Sequence, residues 1–185
     1  MCSERNTLRC LVVFILLISF FITDLIGFAI PYWYKADSNI SGISLNSYGG
    51  LWKFCNESSN ITSCVNQIDD RFAGRFQAVR TFSTLSWMLS LMSLILIILF
   101  FFYDRAMMYL ASVCLSFVGA FCALTAVLLY ASESSGDQKK FYTAFNLTII
   151  AFFLGLMTGI VGILDFLFHF GDRASLKETS LISDF

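Results

Sequence analysis

Four apolar segments, Leu11 to Ile30, Phe82 to Tyr103, Met107 to Tyr130 and Phe141 to Phe170, are each long enough to cross a bilayer as a helix. A spanning helix needs about 20 apolar residues. Hydrocarbon offers no partner for backbone N–H and C=O groups, so such segments must satisfy those groups internally, as helices do. The second and third segments hold no full charge, the first holds Asp24, and the fourth holds Asp165 and His169. The chain is 57% hydrophobic and 14% charged, with a mean hydropathy of +0.74. A soluble domain of 185 residues could not hide that much apolar surface, so lipid is the solvent for much of it. With a single His and no cluster of His, Cys or carboxylates resembling a catalytic or metal site, an enzyme is not expected, nor a metal or cofactor.

The first segment exceeds the 7–15 apolar residues of a secretory signal, and no small-x-small cleavage site follows it. Its retention as a span puts both termini on one side and the long loop on the other. The termini side carries Arg5, Arg9, Arg105, Arg173 and Lys177. The opposite side carries Lys35, Lys53, Arg71, Arg75, Arg80, Lys139 and Lys140, which weakly favours the inverted orientation. Most of these opposing charges belong to the long loop, which that rule exempts. Three N-glycosylation sequons, at Asn39, Asn56 and Asn60, crowd the same loop, and its cysteines suit an oxidising compartment. The termini are therefore expected in the cytosol. Asn146 also lies in a sequon, at the mouth of the fourth helix, where it should stay unmodified.

Residues 1–185 read as one domain, with helices at about 10–31, 81–103, 107–130 and 141–170, extracellular loops at 32–79 and 131–140, and a polar cytosolic tail at 171–185. Tyr48 to Cys55 and Ile61 to Ile68 have the mixed aromatic and β-branched character of strands. Asp69 to Arg80 reads as a short helix running into the second span. The tight turn at Asp104-Arg105 makes helices two and three antiparallel neighbours. No internal repeat is visible.

The first loop carries a spaced set: Trp33, then Gly50-Leu51-Trp52, Cys55, Cys64, and Arg80 at the start of the next span. This set, with Phe76-Gln77-Ala78-Val79-Arg80, resembles the first extracellular loop of claudins, the tight-junction tetraspan proteins. Myelin and epithelial membrane proteins of the wider superfamily resemble the chain too, and share its style of loop sequons. Arg80 and Phe141-Tyr142 look more claudin-like, whereas the second outer loop is shorter than is usual for claudins. The resemblance implies a left-handed bundle of four transmembrane helices, capped by a small extracellular antiparallel sheet from the first and part of the second outer loop. It also implies a Cys55–Cys64 disulfide, a Gly50-Leu51-Trp52 segment seating the sheet on the bundle, and Arg80 bracing the loop. Blander readings stand beside these: two free thiols, Trp33 and Trp52 as interfacial belt aromatics, and Arg80 as a headgroup anchor.

Asp24 and Asp165 are costly in a bilayer. Asp24 is expected to hydrogen-bond inside the bundle. Asp165 and His169, at i and i+4 near the cytosolic boundary, are expected to snorkel. Gly155 and Gly159 form a G-x-x-x-G step, and Ser112, Ser116 and Ala120 a small-residue ridge, both suited to close helix packing within the monomer. Cys114 and Cys122 are expected to pack as small apolar residues. Cys2 and Cys10 flank the cytosolic start of helix one, a position open to reversible palmitoylation. Ser183-Asp184-Phe185 fits strand addition to the groove of a PDZ scaffold.

By resemblance, the expected function is a claudin-like cell-junction protein that forms or regulates a paracellular barrier or channel. It would partner itself or other claudin-like proteins in cis, and possible trans contacts are expected as well. The alternative is an accessory tetraspan that regulates trafficking or gating of an ion channel or receptor, since fold does not fix function. Candidate pore charges are Lys53, Glu57, Asp69 and Asp70. Lys35, Lys53, Arg71 and Arg75 balance Asp37, Glu57, Asp69 and Asp70, so no ion preference follows.

Overall fold

The computed structural model describes residues 4–40, 43–58, 61–66, 73–103, 105–133, 140–141 and 143–183, with side-chain surroundings for 9–35, 46–57, 62–65, 74, 76–103, 105–132 and 143–168. Cys2, Asn60, Asp69, Asp70, Asp184 and Phe185 lie outside the described residues, and Asn39 and Ser183 are described in backbone only. Four helices are formed: α1 (Glu4–Ala29), α2 (Ala73–Tyr103), α3 (Ala106–Glu133) and α4 (Thr143–Ser183). Within them, Arg9–Ala29, Phe76–Tyr103, Ala106–Ser132 and Thr143–Phe168 are long and apolar enough to span a membrane. The one Pro of the chain, Pro31, follows the last α1 turn, which closes with Ile30 N–H on the Ile26 carbonyl at 3.0 Å. Proline has no N–H and disfavours helix in the residue before it, so α1 stops there.

The helices pack in a ring, α1 on α2, α2 on α3, α3 on α4 and α4 on α1. One core cluster fills the half nearer the termini around Val13, Leu17, Phe20, Tyr109 and Val113. A second fills the half nearer the outer loops around Trp33, Leu51, Val79, Tyr130 and Phe145. Outward residues such as Ile15, Met92 and Phe153 are about half exposed, at 55%, 49% and 57%, as a lipid-facing surface requires.

Polar groups inside the bundle pair across helices. Ser93 and Ser112 each donate a hydroxyl to the other's carbonyl, at 2.7 and 2.8 Å, tying α2 to α3. Ser86 Oγ donates to Asp24 Oδ2 at 2.8 Å, so Asp24 is hydrogen-bonded inside the bundle as expected. The snorkelling expectation for Asp165 does not hold. It accepts from the Tyr109 hydroxyl at 3.1 Å and sits 3.8 Å from the Arg9 guanidinium, joining α4 to α3 and α1. At 12% exposure, its charge is met by protein partners rather than by reaching for water. Gly155 approaches Ala120 and Phe20, and Gly159 approaches Phe117, so the glycine step packs within the monomer.

Between α1 and α2 the chain forms β1 (Tyr34–Ile40), β2 (Ile43–Gly49), β3 (Lys53–Ser58) and β4 (Ile61–Asn66); β5 (Lys140–Phe141) comes from the second outer loop. All neighbours are antiparallel in the order β4-β3-β2-β1-β5. Three boundaries depart from the sequence reading. Tyr48 to Cys55 is no single strand, because the chain turns at 50–52 and Gly50 N–H closes on the Lys53 carbonyl at 2.9 Å. The helix expected to lead into the second span is α2 itself, continuous from Ala73 through Arg80. The tail is helical to Ser183, since 171–183 holds no Pro and is rich in helix formers such as Ala174, Leu176, Lys177 and Glu178.

Candidate functional site

The outer sheet is mounted on the bundle by a short set of side chains drawn from the loop and from α2. Trp33, just past Pro31, is fully buried rather than lying in an interfacial belt. Its indole N–H donates to the Gly27 carbonyl at 2.9 Å, and its ring lies edge-on to Tyr130 and Phe145, at 4.9 and 6.2 Å. Its backbone N–H joins the Gly49 carbonyl at 2.8 Å, so one residue fastens β2 to the core. Trp33 is buried because the chain leaving α1 folds straight back over the bundle's end.

Gly50-Leu51-Trp52 completes the mount. A Cβ at Gly50 would overlap the Pro31 backbone and come 2.9 Å from the Ile30 carbonyl oxygen, so only glycine lets this turn lie against the end of α1. Leu51 then inserts into the core with no exposed surface. Trp52 turns the other way, 41% exposed, with its indole N–H on the Phe28 carbonyl at 3.1 Å and its ring edge-on to Phe28 at 5.2 Å.

Arg80, one turn into the α2 span, closes the set. Its Nε donates to the Leu51 carbonyl at 2.6 Å. Its guanidinium lies over the rings of Phe76 at 4.7 Å and Trp52 at 5.4 Å, where the negative ring faces attract it.

The two faces of the sheet differ. On one, the Tyr34 ring covers Gly49 and stacks on Phe54 at 6.4 Å, and burial pushes the Tyr34 hydroxyl up to about 12. On the other lies the row Lys35, Tyr48, Cys55, Cys64, set by strand register. Cys55 and Cys64 face each other across β3 and β4 with Cα atoms 4.1 Å apart and are joined by a disulfide, so the free-thiol reading is excluded. Lys53 and Glu57 alternate with Cys55 along β3, which puts all three on this face, and both charges are exposed. Asn56 points to the opposite face, half-buried, between Ser47 and Ser63.

The cysteines of the helices fare differently. Cys10, named as a candidate for palmitoylation, is 5% exposed, and its thiol packs within the core cluster rather than facing outward. Cys122 is buried as expected, while Cys114 faces outward. The Tyr109–Asp165–Arg9 bracket was missed by sequence reasoning, because a lone intramembrane carboxylate names no partner until the helix registers are known. Among the described residues no group of His, Cys, Asp and Glu is arranged to hold a metal ion.

Comparison with curated proteins gives no match. A family profile described as the PMP-22/EMP/MP20/Claudin family matches residues 7–162, a stretch that runs from α1 through the outer sheet and well into α4. Four apolar helices, an antiparallel sheet between the first two, and this match over most of the chain establish that the protein belongs to the PMP-22/EMP/MP20/Claudin family of multi-pass membrane proteins.

Proposed function

We propose that this chain is a claudin-like cell-junction protein that forms or regulates a paracellular barrier or channel through its outer sheet and lateral self-assembly. The observation that carries this reading is the fixed mounting of the sheet. Trp33, Leu51 and Arg80 hold it on the bundle through buried rings and backbone hydrogen bonds, so its exposed face is held at a set angle to the membrane. A surface that seals or filters the space between cells needs that preorganisation, because a mobile loop would lose the ordering entropy on every contact.

Family membership, the loop disulfide and the loop sequons support an extracellular sheet with cytosolic termini. The tail Ser183-Asp184-Phe185 is the proposed attachment to a PDZ scaffold.

Imaging of the protein in epithelial cells, tagged away from the C-terminus, tests the reading. Continuous strands at cell–cell contacts are expected. Diffuse surface staining, with co-purification of an ion channel, would instead support the accessory role.

A further inference from the structure

Two of the loop's three N-glycosylation acceptors flank one rim of the outer sheet, the rim farthest from the bundle. Strand register aligns Ser38, Leu45, Ser58 and Ile61 in one row across β1, β2, β3 and β4. Asn39 follows this row by one residue on β1, and Asn60 precedes Ile61 on the link between β3 and β4. We propose that N-glycans at Asn39 and Asn60 cap this rim and confine self-association to copies in the same membrane, so that only a copy stripped of them meets the sheet of a copy on the opposing cell. The inference rests on the outward sheet and lateral self-assembly proposed above. Within that function, the glycosylated chain takes the regulating part: it joins a junctional row from the side while its own sheet makes no contact across the gap.

The other end of the sheet is the mounted one. Tyr34, Gly49, Phe54 and Val65 form the row next to the bundle, where the Gly49 carbonyl takes the Trp33 N–H and Gly50 lies against the end of α1. β1 runs outward from this end, and β3 does so again after the 50–52 turn, so the β1–β2 and β3–β4 hairpins both close at the far rim. β5 pairs with Tyr34 and Lys35, at the mounted end. At about 3.4 Å per residue, Asn39 is about 17 Å along β1 from Tyr34. The row across β1 to β4 spans three strand spacings, about 14 Å, which puts the two acceptors toward its opposite corners. Asn56 lies two residues short of Ser58, half-buried within β3, and is not part of the rim.

A rim this narrow limits how two opposed sheets can meet. About 14 Å wide and about 10 Å thick, it offers on the order of 140 Å² head-on. A stable interface buries about 800 Å² per partner. Opposed sheets must therefore slide past one another until their faces overlap, and the corners lead that approach. A bulky, hydrated glycan at each corner stands in the way, and pinning it between sheets costs its hydration and conformational freedom. Copies in one membrane approach side by side, along the bundles and the mounted end of the sheet, and escape this cost.

The test expresses the full-length protein in suspension cells that lack junctions of their own. Clustering is compared for the parent, for the parent after surface treatment with peptide N-glycosidase, and for Asn39→Gln/Asn60→Gln. Each single replacement should remove one step of the glycan gel shift. The parent should leave cells as dispersed as untransfected ones. The enzyme-treated parent and the double variant should cluster them several-fold more, with crosslinking between copies within one cell unchanged in all three. Enzyme treatment acts on protein that has already folded, so it decides the matter if the double variant fails to reach the surface. Clustering by the parent equal to that of enzyme-treated cells overturns the proposal. So does dispersal that persists once the sugar is removed, or a mobility that neither single replacement changes. Where the protein gathers is scored separately by the junction imaging, so absence from cell contacts counts against the function proposed above and not against the sugar's role.

Discussion

Arg80 and Leu51 stand 29 residues apart in the chain and are joined by one hydrogen bond, from Arg80 Nε to the Leu51 carbonyl at 2.6 Å. The bond crosses from a membrane helix to the turn between β2 and β3, at the point where Leu51 enters the core. A backbone carbonyl in a turn that lies against the bundle needs a donor, and α2 supplies a charged one.

Arg80→Lys tests this bond, since it keeps the charge and removes the Nε donor and the planar face that stacks between Phe76 and Trp52. Hydrogen bonds to charged groups contribute about 1.5–3 kcal/mol. The thermal unfolding midpoint in detergent should fall accordingly. A midpoint equal to that of the parent would show that the bond carries no stability.

Gly50→Ala adds one methyl group against the Pro31 and Ile30 backbone, which has no flexible end to move aside. The turn must shift, and with it Leu51 and the Arg80 contact. Reduced surface delivery is expected, whereas Gly74→Ala, where a Cβ meets nothing within 4 Å, should behave like the parent. Surface biotinylation of the two variants decides between a steric requirement and a general intolerance of α2 and its loop.

How far such features can be read in advance depends on whether their cause is local. Span lengths rest on composition and are legible, and the cysteine pair is legible through the loop's resemblance to claudins; the first helix, expected over about 10–31, ends instead at Ala29, ahead of Pro31. The misplaced strand at Tyr48 to Cys55 is different, because its break at Gly50 is imposed by contact with the end of α1, which no window of loop residues contains. Asp165 was misread for a related reason. Its partners, Tyr109 and Arg9, come from two other helices, and their alignment is set by packing. Cys10 looked accessible from its place near the terminus, yet the face of α1 that carries it with Val13 and Leu17 is the buried one.

The disulfide closes a short hairpin, with a sequence separation of 9 between Cys55 and Cys64. In the chain-entropy account this contributes about 2–3 kcal/mol. That is a large share for a small sheet with little core of its own. Cys55→Ser and Cys64→Ser should each hold the protein in the secretory pathway, scored as loss of surface signal. Normal delivery of both would refute the structural role.

Glycosidase treatment tests the orientation of the sheet. A glycan on at least one of Asn39, Asn56 and Asn60 should appear as a gel shift that the enzyme removes, because the acceptors lie on a loop that enters the secretory lumen only in the proposed topology. Replacing all three by Gln should reproduce the shifted mobility without enzyme. Unchanged mobility in both experiments removes the main support for cytosolic termini and leaves the four spans untouched.

Charge reversal on the outer sheet addresses the barrier reading most directly. Lys53 and Glu57 are exposed on the disulfide face of β3, and Asp69 and Asp70 follow the sheet in sequence. If that face lines a path between cells, an ion passing within a Debye length, about 8 Å at physiological salt, feels each charge. Lys53→Glu should then raise the sodium-to-chloride permeability ratio of a cell sheet, and Glu57→Lys or Asp69→Lys should lower it, at unchanged surface level. Lys53 and Glu57 are exposed on β3, so their reversals leave the Trp33 and Arg80 contacts in place. An accessory subunit predicts a flat ratio and altered current through a partner channel instead. A flat ratio for Lys53, Glu57, Asp69 and Asp70 alike, in cells where the protein reaches the junction, rejects the ion-conducting form of the proposal and leaves a sealing or an accessory role.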